Sequence, residues 1–145
     1  MLARAGLLCL AVAAPAGHAA APDPSLIGCW RAVRIVLYAP DGSKAEDTSA
    51  RCTLQFKEDR LESTCGTTTG TATTTYEYRI ARPNSYHATM TGSTFPTSLL
   101  GSTREYEYRV SGDRLVTVAR SQSASSAAAT VAPRVESESA RTPCP

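Results

Sequence analysis

Five residues, Tyr76-Glu77-Tyr78-Arg79-Ile80, return thirty positions later as Tyr106-Glu107-Tyr108-Arg109-Val110. In each copy the tyrosines and the aliphatic residue fall on one face, and Glu and Arg fall on the other. A side-chain period of two is the signature of a β-strand with one buried and one wetted side. Each copy also starts a hairpin. The first turns at Arg82-Pro83-Asn84-Ser85 into Tyr86 to Thr91, and the second turns at Ser111-Gly112-Asp113 into Arg114 to Ala119. Two copies are too few for a solenoid, so they read as consecutive hairpins of one meander.

The rest of the chain agrees. No segment sustains a helical period, Thr is abundant and alternation dominates. Gly28 to Tyr38 reads as an apolar strand that ends at Pro40-Asp41-Gly42, where Pro presets φ and Gly accepts a positive φ. Arg51 to Phe56 and Leu61 to Cys65 form a further hairpin. The Thr-rich stretch from Gly66 to Thr75 is either a strand with a bulge or an exposed loop. Gly92 to Ser102 is a longer connection, with Phe95-Pro96 and Leu99-Leu100 exposed or folded over an opening. Residues 121–129 are a low-complexity loop, and Thr130 to Glu138 forms a last strand. The expectation is an all-β fold: an antiparallel up-and-down meander of seven or eight strands, closed or nearly closed into a barrel.

The chain begins like an export signal. Arg4 precedes the apolar run Ala5 to Ala14, which has the length of a signal core and is too short to span a bilayer. Cleavage is expected after Ala19. A cut after Ala21 fits the Ala-x-Ala pattern better but would leave Pro22 following it. Residues 1–19 are thus read as signal and 20–145 as a single domain, about 125 residues long. Removing the signal lowers the formal charge from +2 to +1. This balance gives no reason to expect nucleic acid or an anionic membrane as a partner, since both need clustered basic residues. No later apolar run can span a membrane, so the mature chain is expected to be soluble in the periplasm or secreted.

Four cysteines remain once Cys9 leaves with the signal, and an even number in an exported chain reads as disulfides. A turn centred on Glu58-Asp59 sets Phe56 opposite Leu61, Leu54 opposite Ser63 and Cys52 opposite Cys65. That register brings the two sulfurs within bonding range. Cys29 then pairs with Cys144, fastening the first strand to the C-terminus and favouring closure of the sheet. A competing reading is that Leu26-Ile27-Gly28-Cys29 is a lipobox, which would lipidate Cys29 and orphan Cys144. Against it, Pro22, Asp23, Pro24 and Ser25 separate the motif from the apolar run.

No catalytic signature stands out. His87 is the one histidine left after the signal, and no aspartate lies near it in sequence. A triad needs serine, histidine and an orienting acid. One histidine without a CxxC cannot build an ordinary zinc site, and no cofactor is expected. The aromatic face is more informative: Trp30, Phe56, Tyr76, Tyr78, Tyr106 and Tyr108. These side chains either fill the core or line a lumen that contacts an apolar ligand. Arg34 falls on the Trp30 face of its strand, so either a bulge turns it outward or it packs on an aromatic ring.

The run Ser25 to Val33, with Gly28-Cys29-Trp30, resembles the opening of bacterial lipocalin-like proteins, where Gly-x-Trp starts the first strand. Thr53 to Phe56, Tyr106 to Val110 and Gly112 to Leu115 are similar to that group's short strands and turns. The resemblance implies an up-and-down barrel, with Trp30 closing its base and an apolar cavity inside. Cys29 and the stapled hairpin depart from the pattern, and the chain is short for a full lipocalin. The start and the Phe56 hairpin also look like META-type domains of exported proteins, although Thr64-Cys65-Gly66 stands where their Gly-Cys-Asn would be. Two roles follow. The first is non-catalytic binding of a small apolar or amphipathic molecule. The second is a protein-binding module, such as an inhibitor of a secreted hydrolase or an envelope-stress factor, engaging an extracytoplasmic protein through the Thr-rich segment.

Overall fold

The computed structural model describes residues 20–120 and 133–145. The expected export segment 1–19 and the low-complexity run 121–129 lie outside them. Nine strands occur in chain order: β1 Gly28–Tyr38, β2 Lys44–Asp47, β3 Cys52–Phe56, β4 Arg60–Thr67, β5 Gly70–Arg82, β6 Ser85–Ser93, β7 Thr103–Ser111, β8 Arg114–Ala119 and β9 Arg134–Thr142. All pairings are antiparallel between neighbours, and β9 returns to pair with β1. Eight strands close into a barrel. The extra strand β2 continues the line of β3 along the same edge of β1, pairing Ile35 to Tyr38 where β3 pairs Gly28 to Ala32.

Of the two readings of the Thr-rich stretch, the strand holds: Gly66 and Thr67 end β4, and Gly70 opens a thirteen-residue β5 that runs into the first Tyr-Glu-Tyr copy, with a register shift between Thr75 and Tyr76. Sequence and structure differ at two places. The last strand begins at Arg134 and runs to Thr142, four residues beyond Glu138. Strand β2 is unforeseen, because Lys-Ala-Glu-Asp carries no apolar alternation.

Arg34 is turned outward by a bulge. The β1–β9 register slips between Ala32 and Arg34. Trp30 and Ala32 thus face inward, Ile35 regains the inner face after the slip, and Arg34 reaches Glu46 outside at 2.7 Å. The Glu and Arg residues of both repeats stand on the wetted side, as the alternation requires.

Both disulfides form. Cys52 lies directly opposite Cys65 on the inner wall, in the predicted register with Leu54 opposite Ser63 and Phe56 opposite Leu61. Cys29 is bonded to Cys144 across 115 positions, which commits the sulfur that a lipobox would need. In the chain-entropy treatment the short loop contributes about 3 kcal/mol and the long one about 5 kcal/mol. Urea unfolding should therefore find C29A/C144A less stable than C52A/C65A, with both below the parent. The reverse order would show that native packing, rather than chain closure, sets these contributions.

Candidate functional site

Antiparallel strands alternate direction, so the barrel has two distinct ends. At the base lie the β3–β4, β5–β6 and β7–β8 turns and the chain entry Asp23 to Ile27. At the mouth lie the β1–β2 and β4–β5 turns and the connections that follow β6 and β8.

The base is sealed by packing. Leu26 and Trp30 are fully buried. The Trp30 indole N–H donates to the Leu26 carbonyl at 2.9 Å. The Arg141 guanidinium stacks 4.0 Å over the Trp30 ring and donates to the Ile27 and Ser25 carbonyls. Arg141 is itself exposed, so this cation–π contact contributes about 0.5–1 kcal/mol. Gly28 makes the arrangement fit: its φ is +124°, and a Cβ there would come within 2.9 Å of the Arg141 guanidinium. Above Trp30, Phe56 meets Tyr78 edge-on at 5.4 Å, and both meet Tyr86 edge-on. Tyr86 in turn stacks flat on Tyr106 at 4.9 Å.

Two base tyrosines tie down the turns. The Tyr78 hydroxyl donates to the Lys57 carbonyl; burial, with Asp59 and Asp23 adding to it, pushes its pKa up to about 12. The Tyr108 hydroxyl donates to the Asp23 carboxylate at 2.7 Å. Burial works against the charge on Asp23, but the hydrogen bonds from Tyr108 and Ser25 outweigh it and hold the carboxyl below its ordinary value of 3.8.

Above this layer the barrel is not full. A cavity of about 190 Å³ lies between Ile35, Leu54, Leu61, Tyr76, Tyr86, Tyr106 and Val135, with the Cys52 and Cys65 side chains on its wall and Ser63, Thr117 and Ser137 as its hydroxyls. The six aromatic residues singled out from sequence therefore divide. Tyr76 and Tyr106 line the cavity, whereas Trp30, Phe56, Tyr78 and Tyr108 are packed below it. Tyr86 joins the wall and was not among the six. Its signal was the alternation Tyr86-His87-Ala88-Thr89-Met90 on the return strand of the first repeat, which places Tyr86 directly opposite Tyr106.

Arg104 stands at the mouth on the inner face, two residues before Tyr106. Its guanidinium lies 6.0 Å from the Tyr106 ring centre and donates to the carbonyls of Ala119, Arg120 and Pro133. His87 points the other way. It lies on the outer wall in a shallow dip with Asp59, Glu77 and Arg79, and the nearby Thr89 and Thr103 hydroxyls bond each other at 2.7 Å. No group of three or more metal-ligating side chains occurs among the described residues.

With the geometry established, the fold can be placed. A lipocalin-like protein from Bacteroides uniformis superposes with a TM-score of 0.52 at 11% identity, over 81% of this chain and 99% of that one. An uncharacterized protein from Bacteroides eggerthii gives 0.51 at 8%, over 80% and 98%. The fold is a lipocalin-like β-barrel. No family model matches the sequence, and no curated protein sequence matches it. At these identities the likeness concerns the fold alone, and the barrel's closed base and partly empty upper half are features of this chain's own side chains.

The Asp23 shift has a consequence for stability. A carboxyl held below its unfolded value stabilises the fold fully above about pH 4, and that contribution is lost as pH falls through the folded value. Thermal melts between pH 6 and pH 2.5 should show the parent losing more stability on acidification than D23N, with Y108F in between. A parent curve parallel to that of D23N would refute the assignment.

Proposed function

We propose that this protein is an exported, non-catalytic binding protein that holds a small apolar or amphipathic molecule in the upper half of its barrel. The observation that carries the reading is the cavity of about 190 Å³ above a sealed base. A cavity of ~150 Å³ lined by aliphatic and aromatic groups is enough to hold a benzene-sized molecule. Drug-sized ligands occupy sites of ~300 Å³ or more, so the ligand here has about ten non-hydrogen atoms. The two disulfides suit an oxidising compartment outside the cytoplasm. The export segment supports a periplasmic or secreted location.

A protein-binding role is favoured by a different observation. The β6–β7 connection exposes Phe95, Leu99 and Leu100 to 44%, 48% and 55%. It is held in place by hydrogen bonds from Gly101 to Met90 and from Met90 to Ser102. Three large apolar side chains on one ordered loop form the kind of patch that protein partners cover.

Filling the cavity separates the two roles. Ser63→Leu points into the lumen opposite Leu54 and adds apolar volume where there is space, so it should leave melting temperature unchanged or raise it. The protein, made with its own signal in a bacterial periplasm, should carry a small adduct in its native mass spectrum that vanishes on denaturation and is missing from S63L. An adduct of equal occupancy in S63L would move the site out of the lumen. A bare parent chain would turn attention to the Phe95 loop.

A further inference from the structure

The polar groups around the upper cavity are hydroxyls, those of Ser63, Tyr76, Tyr86, Tyr106, Thr117 and Ser137, each able to donate one hydrogen bond. Tyr86 is only 2% exposed, and its hydroxyl has no hydrogen-bond partner among the described residues. No side-chain polar atom among them is sealed from solvent without a partner, so the Tyr86 oxygen fronts the cavity that its ring lines. Among the described residues the Tyr106 hydroxyl has no acceptor either, and the Tyr76 hydroxyl has Thr74 as its hydrogen-bond partner. The three phenols are close neighbours: burial raises the Tyr86 pKa well above 10, and Tyr106 and Tyr76 add to the rise. Burial likewise raises Tyr106, and the positive charge of Arg104 opposes the rise there and at Tyr76. Arg104 is the cation on the inner face of the upper barrel among the described residues; Arg141 is occupied with Trp30 at the base. The acid nearest in register is Asp47, opposite Ile35 at the rim, and it is bound to Arg51 and the Ser49 N–H. The remaining Glu and Asp side chains of the strands face outward.

A buried phenol without an acceptor costs free energy unless a ligand supplies one. The Arg104 guanidinium, 6.0 Å from the ring centre of Tyr106 on the cavity wall, favours an anionic acceptor over a neutral one at that end of the cavity. We infer that the lumen is selective for a small monocarboxylate, its apolar body against Leu54, Leu61 and Ile35 and its carboxylate among Tyr86, Tyr106 and Arg104. This rests on the lumen-binding reading and narrows it to one ligand chemistry. Arg104 donates to the Ala119, Arg120 and Pro133 carbonyls while its charge acts on Tyr106 and Tyr76 of the cavity wall.

The test uses three six-carbon probes at neutral pH, hexanoate, 1-hexanol and hexylamine, titrated calorimetrically into the full disulfide-bonded protein. Hexanoate should bind at least about tenfold more tightly than hexanol, and hexylamine more weakly than either. Two variants locate the head group. Tyr86→Phe removes a hydroxyl that no described residue uses, so it should leave the melting temperature unchanged while cutting hexanoate affinity severalfold and sparing hexanol. Arg104→Met should bring hexanoate down to the hexanol level; because it also frees three carbonyls, Y86F remains decisive if R104M fails to fold. Equal binding of hexanoate and hexanol, or a hexanoate preference untouched by Y86F, would overturn the head-group assignment while leaving lumen binding intact. If none of the three probes binds, both readings fall.

Discussion

The barrel depends on one seam. Strands β1 and β9 are separated by most of the chain, and nothing local brings them together. Their ladder runs from Cys29 to Tyr38, and it turns an open meander with two exposed edges into a closed surface. Three contacts at the base reinforce it: the Cys29–Cys144 bond, the Arg141 guanidinium on the Trp30 ring, and the Arg141 bonds to the Ser25 and Ile27 carbonyls. Closure of so distant a pair costs chain entropy. A disulfide between the same two segments removes much of that cost from the folding equilibrium, since the unfolded chain is already joined there.

Closing the sheet creates an inside, and the side chains divide it unequally. Below, large rings and Leu26 fill the space to the base. Above, Ala32, Ser63, Thr117 and Ser137 are small, and the volume they leave is the cavity. Tyr86 sits at the boundary. Its ring belongs to the aromatic cluster below, and its hydroxyl belongs to the lumen above. The stapled hairpin works the same way, its sulfurs forming part of the cavity wall while the bond holds β3 to β4. The packed core and the cavity wall therefore share residues in this molecule.

Much of the fold was legible in sequence because β-structure writes itself in a period of two. The Tyr-Glu-Tyr-Arg copies exposed their inner and outer faces, and the Cys52–Cys65 register followed from a single turn at Glu58-Asp59. The bulge at Arg34 was legible as a conflict, an arginine on an aromatic face, that only a slip in register or a stacking partner resolves. Strand β2 was not legible, because a four-residue polar segment leaves no apolar side-chain pattern. The Thr-rich arm of β5 was ambiguous for a related reason: threonine is at home on either face, so alternation disappears.

The candidate site was legible in kind and not in membership. Alternation marks which residues point inward, and Trp30, Phe56, Tyr76, Tyr78, Tyr106 and Tyr108 all do. Height along the barrel axis is a different coordinate. It depends on how far each strand slides against its neighbours, and those offsets are set by bulges and by closure. Only the folded barrel placed Tyr76 and Tyr106 beside the cavity and the other four beneath it. It also brought Tyr86 across from Tyr106, and stacked Arg141 on an indole 111 positions away. By itself the sequence determined strand character, facing and the nearer disulfide, since these follow from local periodicity and one turn. Tertiary structure decided where the volume was left empty, because a void belongs to no residue and appears only when all eight walls are in place.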